Sequence, residues 1–144
     1  MTLELKDLGI SLELGDWVHK YVEEIKMHAA RKDPNNPFPN LKIETKDTPL
    51  DDLHANAESL IGSVKQGLPP EAIVALAEKF KIDDREAISI EIAGRKHEEK
   101  DILIIMKVIS IPEKLAILSF TLEAKNKSKL AVELDKITKS VKIL

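Results

Sequence analysis

Cysteine is absent from all 144 residues of the chain. That excludes a disulfide framework, a zinc ribbon, an iron–sulfur site and a thiol nucleophile, and it makes a reducing cytoplasm the expected compartment. Aromatic residues make up only 3% of the sequence, too few for a platform on which single-stranded bases would stack. Long apolar runs are lacking too. Runs such as Ile102 to Met106 are far short of the ~20 residues that span a bilayer as a helix. The opening Met1-Thr2-Leu3-Glu4-Leu5-Lys6-Asp7 carries acids and no apolar stretch, so neither a signal peptide nor a membrane anchor is expected. Neither Gly-x-Gly-x-x-Gly nor Gly-x-Ser-x-Gly occurs. Gly62-Ser63-Val64-Lys65-Gln66-Gly67 has the glycine spacing of a phosphate loop, but Leu68-Pro69 follows where Lys and Ser or Thr are required.

What is present is charge. Charged residues are 33% of the chain, yet 22 Lys and Arg against 25 Asp and Glu leave a net charge of only -3, which argues against a dedicated nucleic-acid binder. The average hides an asymmetry: residues 1–62 carry 7 basic and 12 acidic groups, while residues 125–144 carry 6 lysines and 2 acids. The basic excess therefore belongs to the C-terminal end.

Hydrophobic periodicity divides the chain into three sections. In the first, Ile10, Leu12 and Leu14 alternate as a short strand would. Trp17, Val18, Tyr21, Val22, Ile25 and Ala29 then fall on one arc at ~100° per residue, which predicts an amphipathic helix after the breaker Gly15. Pro34, Pro37 and Pro39 impose an extended connector. In the second section Thr48-Pro49-Leu50-Asp51 reads as a helix start, and Leu50, Leu53, Ala57, Leu60, Ile61 and Val64 form its stripe. Gly67 ends it, and Pro69-Pro70 open a second helix through Ile73, Leu76, Ala77 and Phe80, giving a helical hairpin. In the third section the period becomes two: Ile88 to Ile92, Ile102 to Ile111 (apolar on both faces apart from Lys107 and Ser110), and Ala116 to Leu122 predict three antiparallel strands. A last helix opens near Ser128.

The expected fold is thus one α+β domain over residues 1–144. Its N-terminal helical half (a helix plus a helical hairpin, 1–83) packs on a three-stranded antiparallel meander followed by a C-terminal helix (β-β-β-α, 84–144).

The four histidines are the natural starting material for catalysis or metal binding. His19 and His28 are nine residues apart, ~900° around the predicted helix, and so lie on opposite sides of it. His28 borders the apolar arc between Trp17 and Tyr21. His54 has Asp51 and Glu58 at ligand-like spacing, but one histidine with two carboxylates and no supporting pattern reads as a solvated flank. His97 sits in the charged loop Arg95 to Glu99. The adjacent pairs Glu23-Glu24, Asp51-Asp52, Asp83-Asp84 and Glu98-Glu99 diverge by ~100° on a helix or ~180° on a strand, so none is a dyad by adjacency alone. No catalytic, cofactor-binding or metal-ligating residue is assigned.

The partner-binding candidates are Leu130, Leu134, Ile137, Val141 and Leu144, whose spacing of four, three, four and three is a heptad seam. Such a seam packs on the chain's own sheet or joins a second copy as a homodimer. The expected function is that of a cytoplasmic protein-binding protein, an effector chaperone, adaptor or immunity-type inhibitor, acting through an apolar sheet or helix surface. Its acidic side chains would steer a basic protein partner, with no membrane partner and no nucleic acid. Two alternatives stand beside it. One is a DNA-binding regulator or antitoxin using Lys125, Lys127, Lys129, Lys136, Lys139 and Lys142. Gly67 to Phe80 resembles the helical opening of helix-turn-helix antitoxins, and departs from it where Ala87 to Ala93 reads as strand. The other is a small enzyme using His54 or His28 with nearby carboxylates.

Overall fold

The computed structural model describes residues 2–47 and 52–144. Two short strands, β1 (Thr2–Leu5) and β2 (Ile10–Glu13), form a hairpin whose turn ends at Gly9, held at φ 75° where a side chain would be strained. Next come β3 (Val18–Val22), a 3-10 turn over Glu23–Ile25, β4 (Met27–Arg31) and β5 (Asn40–Lys46). The helix α1 (Ala57–Gln66) leads into β6 (Ile73–Ile82), β7 (Arg85–His97), β8 (Lys100–Ile111) and β9 (Lys114–Glu123). The helix α2 (Lys127–Lys139) and the short β10 (Lys142–Ile143) close the chain.

The strands make two antiparallel sheets, one of order β1-β2-β10 and one of order β3-β4-β5-β9-β8-β7-β6. On one face of the large sheet, Leu118, Phe120 and Leu122 of β9 pack with Leu103, Ile105 and Ile109 of β8 under α2 and the small sheet. Phe120 meets Trp17 edge to face at 6.2 Å. On the other face, Ile88, Ile90, Ile92 and Val108 pack under Leu53, Ala57, Leu60, Ile61 and Val64 of α1 and the turn before it. Side chains as fully buried as Phe120 and Leu118 each contribute about 1.5–3 kcal/mol from leaving water, so β9, apolar on both faces, is the centre of the fold.

The expected N-terminal helical half is replaced by strands: of its three helices only α1 forms among the described residues. Residues 17–31 form the β3–β4 hairpin instead of a helix, with Lys26 turning the chain at φ 51°. The apolar spacing there fits either period, and the β-branched Val18 and Val22 with Tyr21 settle it once β5 offers β4 a partner strand. The second arm of the expected helical hairpin is also a strand, β6. A bulge between Leu76 and Glu78 shifts its phase, so that Val74 and Leu76 face α1 while Phe80 packs against the opposite core. Apolar residues at two, four and two thereby mimic a helical stripe. This removes the helix-turn-helix likeness as well. The first arm is present as α1, ending at Gly67; its expected start at Thr48 to Asp51 lies outside the described residues.

The expected strands at 88–92, 102–111 and 116–122 occur as β7, β8 and β9, within a sheet of seven and not three. Two carboxylate pairs turn out to be hairpin turns: Asp83-Asp84 at φ 49° and 64°, and Glu98-Glu99 at φ 49° and 67°. Both positions positive is the conformation of a two-residue turn matched to the sheet twist. At Gly94 (φ 79°) the sheet admits no side chain, since a Cβ would stand 2.3 Å from the Glu71 carbonyl oxygen.

Candidate functional site

The β3–β4 hairpin ends the large sheet, with β3 as an edge strand. Strand periodicity gives it two different faces, and cross-strand register shows what each continues. One row runs Tyr21, His28, Ile43, Leu118, Lys107, Ser89 and Glu78 across seven strands, over the core beneath α2. The adjacent row runs Lys20, Ala29, Lys42, Ser119, Met106, Ile90 and Leu76, ending in the core beneath α1.

On the inner face, His28 is buried at 8% exposure between three partners. Its Nε2 lies 2.7 Å from Asp7 Oδ2 in the β1–β2 turn, and its Nδ1 lies 3.0 Å from His19 Nε2. A carboxylate only accepts, so His28 donates from Nε2; in the neutral pair His19 then donates from Nε2 to His28 Nδ1. The two imidazoles stack with centroids 5.2 Å apart, and Tyr21 closes over His28 at 4.9 Å. The hydrogen bond from His28 holds the Asp7 carboxyl below its ordinary value, against an opposing effect of burial. Burial, helped by the nearby His28, lowers His19, while Asp7 works the other way. Asp7, His28 and His19 therefore tie the hairpin to the small sheet. Neither imidazole is hydrogen-bonded to a hydroxyl or an amine, and no three His, Asp or Glu side chains are placed to hold a metal ion, among the described residues.

On the outer face, Val18, Lys20 and Val22 of β3 stand beside Ala29 and Arg31 of β4, and β5 adds Lys42. Helix α1 covers this face only at β6 to β9; no residue of β3, β4 or β5 joins the core beneath it. What remains open is a hollow of about 340 Å³ lined by Val18, Lys20, Val22, Ala29, Ala30, Arg31 and Pro34. Val18 is 49% exposed. Lys20, Arg31 and Lys42 pair with no carboxylate among the described residues.

His19 and His28 thus do converge, contrary to the helical geometry expected, because diagonal neighbours on a hairpin share a face. The alternation Val18-His19-Lys20-Tyr21-Val22 and Met27-His28-Ala29-Ala30-Arg31 was the signal that could have shown both faces. His54 lies elsewhere. Its Nε2 donates to the carbonyl oxygens of Phe80 and Ala87 at 2.9 and 3.0 Å, and its backbone N–H donates to Glu86 Oε1. With that proton committed, His54 bolts the turn before α1 onto β6 and β7; Asp51 lies outside the described residues. His97 meets the ring of Phe38 edge-on. Leu130, Leu134, Ile137 and Val141 lie in the core beneath α2, and Leu144 is 55% exposed. Of the six C-terminal lysines, Lys127 pairs with Glu91 and Lys139 with Asp135. No described helix is long and apolar enough to cross a membrane.

No family model and no curated protein sequence matches the chain. Solved structures do. Cyanobacterial PsbP (CyanoP) from Synechocystis aligns with a TM-score of 0.70 at 14% identity, over 100% of this chain and 92% of that one. LpqN, involved in cell envelope biogenesis of Mycobacterium tuberculosis, aligns at 0.60 and 15% identity, over 93% of this chain and 82% of that one. The Ran-binding protein Mog1p of Saccharomyces cerevisiae aligns at 0.56 and 8% identity, over 99% and 94%. At such identities the likeness is one of fold.

Proposed function

We propose that the protein is a binding protein without chemistry of its own, and that it docks an acidic, partly apolar segment of another protein on the outer face of β3, β4 and β5. One observation carries this: that half of the sheet face lacks a covering helix among the described residues, and it pairs an apolar strip with three cations that have no carboxylate among them. Val18, Val22 and Ala29 would lose water to a partner's aliphatic side chains. Lys20, Arg31 and Lys42 would steer its acids and set the register. The unpaired cations favour an acidic partner over the basic one that net charge suggests. Mog1p, a Ran-binding protein, lends support to protein binding as a use of this architecture. The inner face supplies rigidity, with Asp7, His28 and His19 fixing the hairpin. Leu5 and Val141, far apart in sequence, share a core, which supports reading the chain as one domain.

The test is a titration of labelled protein with a blocked peptide of alternating Glu and Val, beside the matching Lys and Val peptide. The acidic peptide is expected to bind, more weakly as salt rises, and to shift the resonances of Val18, Ala29 and Lys42. Lys20→Glu, Arg31→Glu and Lys42→Glu together should invert the preference. Equal binding of both peptides, or an unchanged preference in the triple variant, would overturn the proposal.

A further inference from the structure

On the opposite face of the sheet, α2 stands beside Glu78 of β6 and Glu91 of β7. The groove between them has a volume of about 410 Å³, within the range of small-ligand sites. Its apolar surface comes from Ile105 on β8 and from Ala131, Val132 and Leu134 on α2. Its charged groups are Glu78, Glu91, Lys107, Lys127, Asp135 and Lys139, and most are already satisfied. Lys127 lies 2.9 Å from Glu91, and Lys139 lies 3.0 Å from Asp135.

Of the two left without an ion pair among the described residues, Glu78 and Lys107, the cation is Lys107. It rises from a central strand, with its Nζ 5.6 Å from the centre of the Phe80 ring, and no carboxylate or carbonyl accepts from it among the described residues. Burial pulls its proton affinity down, with Lys139 adding to this, and Glu78, Asp135 and Glu91 pull it up from a distance. A half-buried ammonium without an acceptor is costly, and the anion that completes it is correspondingly favoured. Ser89, directly opposite on β7 and 2% exposed, places a hydroxyl in the same row. Glu78, with no cation paired to it among the described residues, lines the same groove and repels ligands of higher negative charge.

We propose that this groove binds a small monocarboxylic acid with an aliphatic body, its carboxylate on Lys107 and its chain against Ile105, Ala131, Val132 and Leu134. The site is separate from the hairpin face, and each can be tested without the other.

The probe is sodium hexanoate, titrated at fixed ionic strength into methyl-labelled protein, with 1-hexanol and hexylamine as controls. Hexanoate should give saturable shifts at Ile105, Val132 and Leu134, binding at least tenfold more tightly than hexanol, and hexylamine should give none. Lys107→Met keeps the aliphatic stem and should weaken hexanoate at least tenfold while leaving hexanol unchanged; Lys107→Arg should retain hexanoate. Equal affinity for hexanoate and hexanol, undiminished binding in Lys107→Met, or shifts confined to other regions would overturn the assignment.

Discussion

Replacing His28 with alanine isolates the device that holds the hairpin in place. His28 is 8% exposed and links Asp7 to His19 through contacts of 2.7 and 3.0 Å. A neutral hydrogen bond contributes about 1 kcal/mol net. The bond to Asp7 involves a carboxylate and would count for more, but the Asp7 side chain is 56% exposed, which returns it to about 1 kcal/mol after solvent screening. Losing the ring's packing against Tyr21 and His19 adds up to about 1 kcal/mol. The sum is about 2–3 kcal/mol. With an unfolding entropy of about 2.1 cal/mol/K per residue, a chain of 144 residues should then melt about 7–10 °C lower. Calorimetry reads the total, and amide hydrogen exchange reads its location: β3 and β4 should lose protection while β7 and β8 keep theirs relative to global unfolding. Asp7→Asn should cost less than half as much. A melting point within about 2 °C of the parent, or exchange accelerated evenly over the sheet, would refute the role assigned to His28.

Acid should destabilise the fold in two stages. His19 is lowered from its ordinary 6.5, so the unfolded chain binds its proton more tightly; the stability it contributes is complete above pH 6.5 and is lost as pH falls below that. Asp7 is lowered from 3.8 and removes a second share as pH falls from there through its folded value; urea midpoints measured from pH 8 to 3 should fall in both windows, and His19→Gln should abolish the first. Glu98→Asn with Glu99→Gly suits both positive φ angles of that turn and should raise stability by about 1–2 kcal/mol, seen as a higher denaturant midpoint. Leu134→Asp places a carboxylate at a site 2% exposed, so circular dichroism should show an unfolded or grossly destabilised chain, where an interface residue would leave a folded one.

Much of the C-terminal half was legible from residues alone, and most of the N-terminal half was not. Ile88-Ser89-Ile90-Glu91-Ile92 alternates cleanly, and Ile102 to Ile111 is apolar on both faces apart from Lys107 and Ser110, so strand pairing on either side only confirms a local preference. Trp17 to Arg31 has no such preference. Its apolar residues satisfy a period of 3.6 as well as two strands folded back at Lys26, and the choice rests on β5, more than ten residues further on. In β6 the bulge at Ala77 breaks the period-two pattern outright. The site inherits the same difficulty. Once residues 17–31 are taken as helix, His19 and His28 diverge, and Val18, Lys20, Ala29 and Arg31 scatter around its circumference. Only as a hairpin do they sort into an inner link and an outer basic and apolar face.

The central claim is that the outer face of the hairpin is where a partner sits. A photocrosslinking residue placed at Ala29, with a second protein carrying it at exposed Glu58 on α1 as control, tests this inside the protein's own cell. The account predicts an adduct from position 29 alone, joined to an acidic segment of one partner protein and lost when Lys20, Arg31 and Lys42 are reversed in charge. No adduct at position 29, equal adducts from both positions, or attachment to a basic segment would contradict it.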